Sequence, residues 1–138
     1  MFVDDFAKQL SRDLRFPSPL SPSKEGSYSL RVGKELFIAF DALGEGVVFY
    51  ATVGLVPEDL IVLESFYLTL LVANLFGQGT GKAFLALSRN GREVLLALPA
   101  PEILPYLQCR DLLEEFLNLA EAWAAELKDP KKLLARLG

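Results

Sequence analysis

Gly77, Gly79, Gly81 and Lys82, in the run GQGTGK, come closest in this chain to a phosphate cradle. A phosphate-binding P-loop sets a glycine five positions before its Gly-Lys pair and a Ser or Thr after it. Phe76 and Ala83 hold those two places. The order is also reversed: a P-loop leads from a strand into a helix, whose N-terminus meets the phosphate. Here an apolar, helix-like stretch comes first and an alternating, strand-like one follows. The glycines therefore read as a helix C-cap followed by a sharp reversal. The carboxylate pairs Asp4-Asp5, Glu58-Asp59 and Glu114-Glu115 fall at helix starts or on a solvent face, and none stands beside a nucleophile. Cys109 has no histidine to activate it, and Ser65, Ser88 and Thr69 have no base. The chain has no histidine at all, which removes the commonest general base and metal ligand. A single cysteine leaves no recognisable zinc site. Trp123 lies on a helix's core stripe. No catalytic residue, metal site or cofactor is expected, and the chain reads as a binding protein rather than an enzyme.

The elements that position these residues must fit in 138 residues, a length for one domain, taken as 1–138. A chain of this size buries a proper core without disulfide staples. The net charge of −4 and a pI near 4.9 argue against nucleic acid, whose footprint is a basic stripe. The one basic cluster, Lys128, Lys131, Lys132 and Arg136, reads as a solvated tail. The lone cysteine sets a reducing compartment as the default. The acidic start Met-Phe-Val-Asp-Asp does not resemble a signal peptide, and the run Phe66 to Phe76 is too short for a bilayer. A soluble, cytoplasmic protein is expected, although mean hydropathy is high at +0.30.

Val3, Phe6, Leu10 and Leu14 recur at helical spacing over 2–15, and Phe16-Pro17 is expected to end that helix. PSPLSPSKEG then forms a loop. Three alternating stretches follow, around Tyr28–Val32, Leu36–Phe40 and Val47–Val53, joined at Gly33-Lys34 and Gly44-Glu45-Gly46: an antiparallel meander. Its second face carries Phe37, Ala39, Val48 and Tyr50, more apolar than a solvated face should be, so either a partner or another part of the chain covers it. Pro57-Glu58-Asp59 opens a second helix with proline in the first turn. That helix has two apolar stripes, Val62/Phe66/Leu70/Ala73 and Leu60/Tyr67/Leu68/Leu71/Leu75. A helix on a sheet needs only one. The surplus stripe implies either self-association or complete burial. Two more strands, Phe84–Ser88 and Val94–Leu98, flank Asn90-Gly91, read as a type I′ turn. A last helix from about Arg110 to Leu127 carries the stripe Leu113, Phe116, Leu117, Ala120, Trp123, Ala124 and Leu127. Pro130 ends it, with a short turn expected over Lys131–Leu137.

The run LLVANLFGQGTGKAFLALSRNGREVLLALPAP (Leu70 to Pro101), continued by LLEEFLNLAEAWAAEL (Leu112 to Leu127), resembles the class I type III secretion chaperones, the Tir-chaperone family. The shared features are Leu-Leu-x-x-Asn-Leu, a glycine loop with Thr-Gly, a Leu-Ala-Leu strand, and a final helix with Phe, Ala and Trp in this spacing. Lys82 replaces the family's second loop glycine, and the Pro17–Ser23 link is richer in proline. The resemblance implies an α+β protomer, three helices packed on a five-stranded, mostly antiparallel sheet in the order α-βββ-α-ββ-α, forming a homodimer. It implies a chaperone that holds the N-terminal segment of an effector in extended form, or a regulator of the same fold that sequesters a secretion or transcription regulator. Partner binding is expected at Leu14, Phe16, Phe37, Ala39, Val48 and Tyr50. The dimer interface is expected at Val62, Phe66, Tyr67, Leu70, Leu71, Ala73 and Phe84. Type III effectors are the implied partners, with the secretion ATPase as a further one; nucleic acid, membrane, ATP and metal are not implied.

Overall fold

A computed structural model describes residues 2–77 and 79–129, and the backbone but not the side chain of Phe76. The turn expected over Lys131–Leu137, Pro130, and Gln78 of the glycine run lie outside the described residues. The elements run α1 (Phe2–Asp13), β1 (Tyr28–Val32), β2 (Leu36–Leu43), β3 (Gly46–Leu55), α2 (Leu60–Asn74), β4 (Phe84–Leu87), β5 (Glu93–Ala100) and α3 (Tyr106–Leu127). The five strands form one antiparallel sheet in the order β1-β2-β3-β5-β4, so the expected α+β class and element order hold. The order is not sequential, because the chain leaves β3, forms α2, and returns at the sheet's outer edge.

The chain divides into two compact units, one holding the residues up to Tyr50 with Leu98–Leu117, the other Ala51–Ala97 with the residues from Asn118 onward. The first unit has an aromatic core. Phe6 meets Phe40 and Phe49 edge-on at 5.6 and 6.1 Å between ring centroids, Tyr28 stacks on Phe40 at 5.2 Å, and Phe49 lies 6.1 Å from Phe116. Ile38, Val47 and Leu10 fill the space around them. Tyr106 brings the first turn of α3 to α1: its ring is 5.8 Å from Phe6, and its hydroxyl donates to Asp13 Oδ2 at 2.8 Å. Arg110 binds the same oxygen at 2.9 Å, and these two donors hold the Asp13 carboxyl below its ordinary pKa. The second unit packs Phe66, Val94, Leu96, Ala120 and Leu127, with Gly54 so close to Leu127 that an added Cβ would sit 2.8 Å from that residue's own Cβ.

Several boundaries move from their sequence positions for local reasons. Proline does not end α1. The Arg15 amide donates to Arg12 O at 3.2 Å and the Phe16 amide to Ser11 O at 3.0 Å, the pair of bonds of a Schellman cap. Arg15 takes the left-handed position, φ 53°, where glycine is usual. In α2 the proline and Glu58 precede the helix. Asp59 is the N-cap, accepting from the Ile61 amide at 2.9 Å. The Asn90-Gly91 turn is not type I′, which needs positive φ at both residues. Only Gly91 is left-handed, φ 71°. Asn90 instead accepts from the Arg92 amide and the Ser88 hydroxyl through its side chain. Strand β5 runs on through Pro99, past Ala97, the last of its residues that pairs with β4. Helix α3 starts earlier than Arg110, directly after Pro105, whose carbonyl accepts from the Cys109 amide.

Candidate partner-binding and pairing surfaces

Alternation along β1, β2 and β3 sorts the first unit's residues onto two faces. Phe40, Ile38, Val47 and Phe49 are buried on the face that α1 covers through Phe6. The other face carries Phe37, Ala39, Val48 and Tyr50. Ala39 stands opposite Tyr50 and Asp41 opposite Val48 across the β2–β3 ladder, and Phe37 faces Arg31 across β1–β2. The Arg31 guanidinium lies 5.8 Å from the Phe37 ring centre. Phe37 is 56% exposed; Ala39, Val48 and Tyr50 are half-buried. The Tyr50 hydroxyl donates to Asp41 Oδ2 at 3.1 Å, and burial raises its pKa. Asp41 Oδ1 is buried without a hydrogen-bond partner among the described residues. These four side chains therefore share one open patch. Leu14 (exposed) and Phe16 (half-buried) do not join it. They lie at the end of α1, the helix on the opposite face.

In the second unit the two stripes of α2 part company. Phe66, Leu70 and Ala73 are buried within their own unit, with Phe66 fully so at 0%. Thr69 is buried with them, its hydroxyl satisfied by Ser65 O at 2.8 Å. The opposite stripe is open: Leu60, Leu68, Leu71 and Leu75 are all exposed, Leu71 at 67%. Ile61 and Val72 widen it, two residues the sequence reading left out of both stripes. Of the expected dimer residues, Leu71 and Phe84 are exposed, and Val62 and Tyr67 half-buried. Phe66, Leu70 and Ala73 are turned inward, so a seam on α2 falls on the Leu71 stripe. A groove of about 430 Å³ runs between Tyr67, Leu71 and Asn74 of α2 and Leu85 to Leu87 of β4.

Asn74 explains why this groove has a firm wall. Its side-chain amide donates to Leu85 O at 2.8 Å and accepts from Leu85 N at 2.7 Å. Strand β4 is an edge of the sheet, and this one side chain occupies backbone groups that would otherwise template another strand. In the sequence Asn74 stands out only as the asparagine of Leu-Leu-x-x-Asn-Leu. The glycine loop is a turn. Gly77 and Gly81 are left-handed at φ 69° and 61°. Gly79 is pressed against α2, where an added Cβ would stand 3.0 Å from that of Ala73. Trp123 Nε1 donates to Gly79 O at 3.0 Å, so the loop is held on α3 as well.

Cys109 is 0% exposed, and burial pushes its thiol pKa up to about 12. The thiolate is the reactive species, so native Cys109 should resist a thiol reagent at neutral pH. Its labelling rate should rise to the free-thiol value only in denaturant, as Ellman's reagent would report; rapid labelling of the native protein would contradict this burial. Among the described residues, no three His, Cys, Asp or Glu side chains gather as a metal site would require, and no helix is long and apolar enough to cross a membrane.

The fold is that of type III secretion chaperones. The chain of the ExsC–ExsE complex superposes with a TM-score of 0.72 at 19% identity, covering 91% of this chain and 92% of that one. The HopA1–SchA chaperone–effector complex gives 0.67 at 14% identity, covering 90% and 94%. The Yersinia pestis type III secretion chaperone SycH, in complex with a stable fragment of YscM2, gives 0.60 at 14% identity, covering 89% and 99%. Residues 5–124 match the Tir chaperone protein (CesT) family, and the chain belongs to that family. No curated protein matches its sequence.

Proposed function

We propose that residues 1–138 act as one module, a class I type III secretion chaperone that works as a homodimer in the bacterial cytoplasm. It holds the N-terminal segment of an effector extended, soluble and ready for secretion. The observation that carries this reading is the family match over residues 5–124. The similar structures that are chaperone–effector complexes support it, as do the two apolar surfaces. The Leu71 stripe of α2 with Phe84 pairs two copies. The Phe37–Tyr50 patch and the end of α1 receive the effector, whose backbone can also add to the open edge at β1. The protein works by docking, not by catalysis: it needs neither ATP nor metal, and its partners do not include nucleic acid or membrane. A contact with the secretion ATPase fits the same role.

Co-expression with the N-terminal segment of the protein encoded beside its gene tests this. A complex of one dimer with one segment, weakened by Phe37→Ser, is expected on light scattering. A stable monomer at micromolar concentration that captures no such segment would overturn the reading.

A further inference from the structure

A second, chemically different groove lies in the first unit, at the C-terminal end of α1. It measures about 360 Å³ and is lined by Lys8, Ser11, Arg12, Arg15, Phe16 and Pro19. The Ser11 hydroxyl shapes it, donating to Ala7 O at 2.8 Å and accepting from the Leu20 amide at 2.9 Å, which draws the following loop back over the helix. Phe16 and Pro19 supply apolar surface; Lys8, Arg12 and Arg15 supply charge. No carboxylate lines the groove: two of the three on the same helix are engaged elsewhere, and Asp5, one turn from Lys8, does not enter it. Asp4 accepts from the Tyr28 hydroxyl, Asp13 holds Arg110 and Tyr106, and Asp5 sits in the first turn. No ion pair joins any of the three cations to a carboxylate among the described residues.

Cations near a helix C-terminus suit its dipole, but the dipole does not account for Arg15. The left-handed φ of 53° is awkward for a residue with a Cβ, and every other left-handed residue described is a glycine. A glycine would complete the same cap with less strain, yet would remove a guanidinium from the groove wall. A concentration of positive charge on a chain of net charge −4 selects an anionic partner. The apolar floor selects one that also carries a hydrophobic side chain, which a bare phosphate chain lacks.

We infer that this groove docks an acidic segment of the bound effector, with one apolar side chain on Phe16 and Pro19 and flanking carboxylates on Lys8, Arg12 and Arg15. The identification of the segment's owner rests on the chaperone reading; its chemistry does not. The probe is a short fluorescent peptide in which glutamates flank one leucine, titrated by anisotropy against the full chain. Binding should weaken with salt. It should fall up to about fivefold in Arg15→Gly, the loss of one exposed charge contact at the upper end of the usual range, and about tenfold in Lys8→Gln/Arg12→Gln, which loses two. Arg15→Gly should melt no lower than the parent, which separates lost charge from lost fold. Equal binding by the glutamine version of the peptide, unchanged affinity in both variants, or displacement by inorganic polyphosphate at lower concentration than by unlabelled peptide would overturn the inference. If peptide binding behaves as expected while no effector segment co-purifies, the groove stands and the chaperone reading falls. If an effector is captured indifferently to both variants, the chaperone reading stands and the groove assignment falls.

Discussion

Leu71→Asp is expected to yield a folded monomer, while Phe66→Ala yields a dimer that unfolds more easily. Both residues lie on α2, but Leu71 is 67% exposed and Phe66 is 0% exposed. An aspartate at 71 remains hydrated in the separate chain, so the monomer loses little. In a paired seam the same carboxylate must shed its water against leucines, a cost of several kcal/mol for an uncompensated charge. At position 66, truncation leaves a cavity in a core that already touches Leu70 and Ala73's stripe, and the loss should be about 3–5 kcal/mol. Light scattering at micromolar concentration and a denaturant melt separate the two effects. A Leu71→Asp protein that remains dimeric would remove the seam from this stripe. Leu70→Asp does not make this test, because Leu70 is buried and the variant should simply unfold.

Asn74→Ala is expected to lower stability by about 2–3 kcal/mol, more than a polar residue on a helix usually costs. Two hydrogen bonds to Leu85 go at once, and the Leu85 amide and carbonyl lose the partner that satisfies them. The edge of β4 is then open for another chain to pair with. Denaturation should show the lower midpoint, hydrogen exchange should show the Leu85 amide losing protection, and the variant should aggregate faster on storage. A midpoint within error of the parent would mean that Asn74 is not what closes this edge.

Much of the molecule was readable from spacing alone. Period-two alternation placed all five strands, and the 3.6-residue stripe of α3 predicted the burial of Leu113, Phe116, Ala120, Trp123 and Leu127. The two stripes of α2 were also legible, but not which one faces inward, because both are made of similar aliphatic side chains. That choice depends on the sheet order, and the crossover that sends α2 out to β4 leaves no trace in local periodicity. The helix and turn boundaries failed where a side chain did the work of a breaker residue. Arg15 took glycine's place in the cap, and Asn90 spent its amide on neighbouring backbone instead of adopting positive φ. Of the candidate partner residues, the four on the open sheet face came from alternation and do form one patch. The groove behind Phe16 has no signal in the spacing, since Pro19 is brought over the helix by the Leu20 amide donating to the Ser11 hydroxyl across an otherwise featureless proline-serine loop.

The indole of Trp123, hydrogen-bonded to Gly79 O, is the chain's one tryptophan. Its emission is therefore an intrinsic gauge of whether the last helix still grips the glycine turn beside α2. An event that leaves this hydrogen bond and the packing around it intact should pass almost unseen in that signal. Loosening of the turn should shift the emission to the red. One fluorescence trace recorded during assembly with a partner would thus distinguish cargo that merely settles on the surface from cargo that rearranges the half carrying the Leu71 stripe.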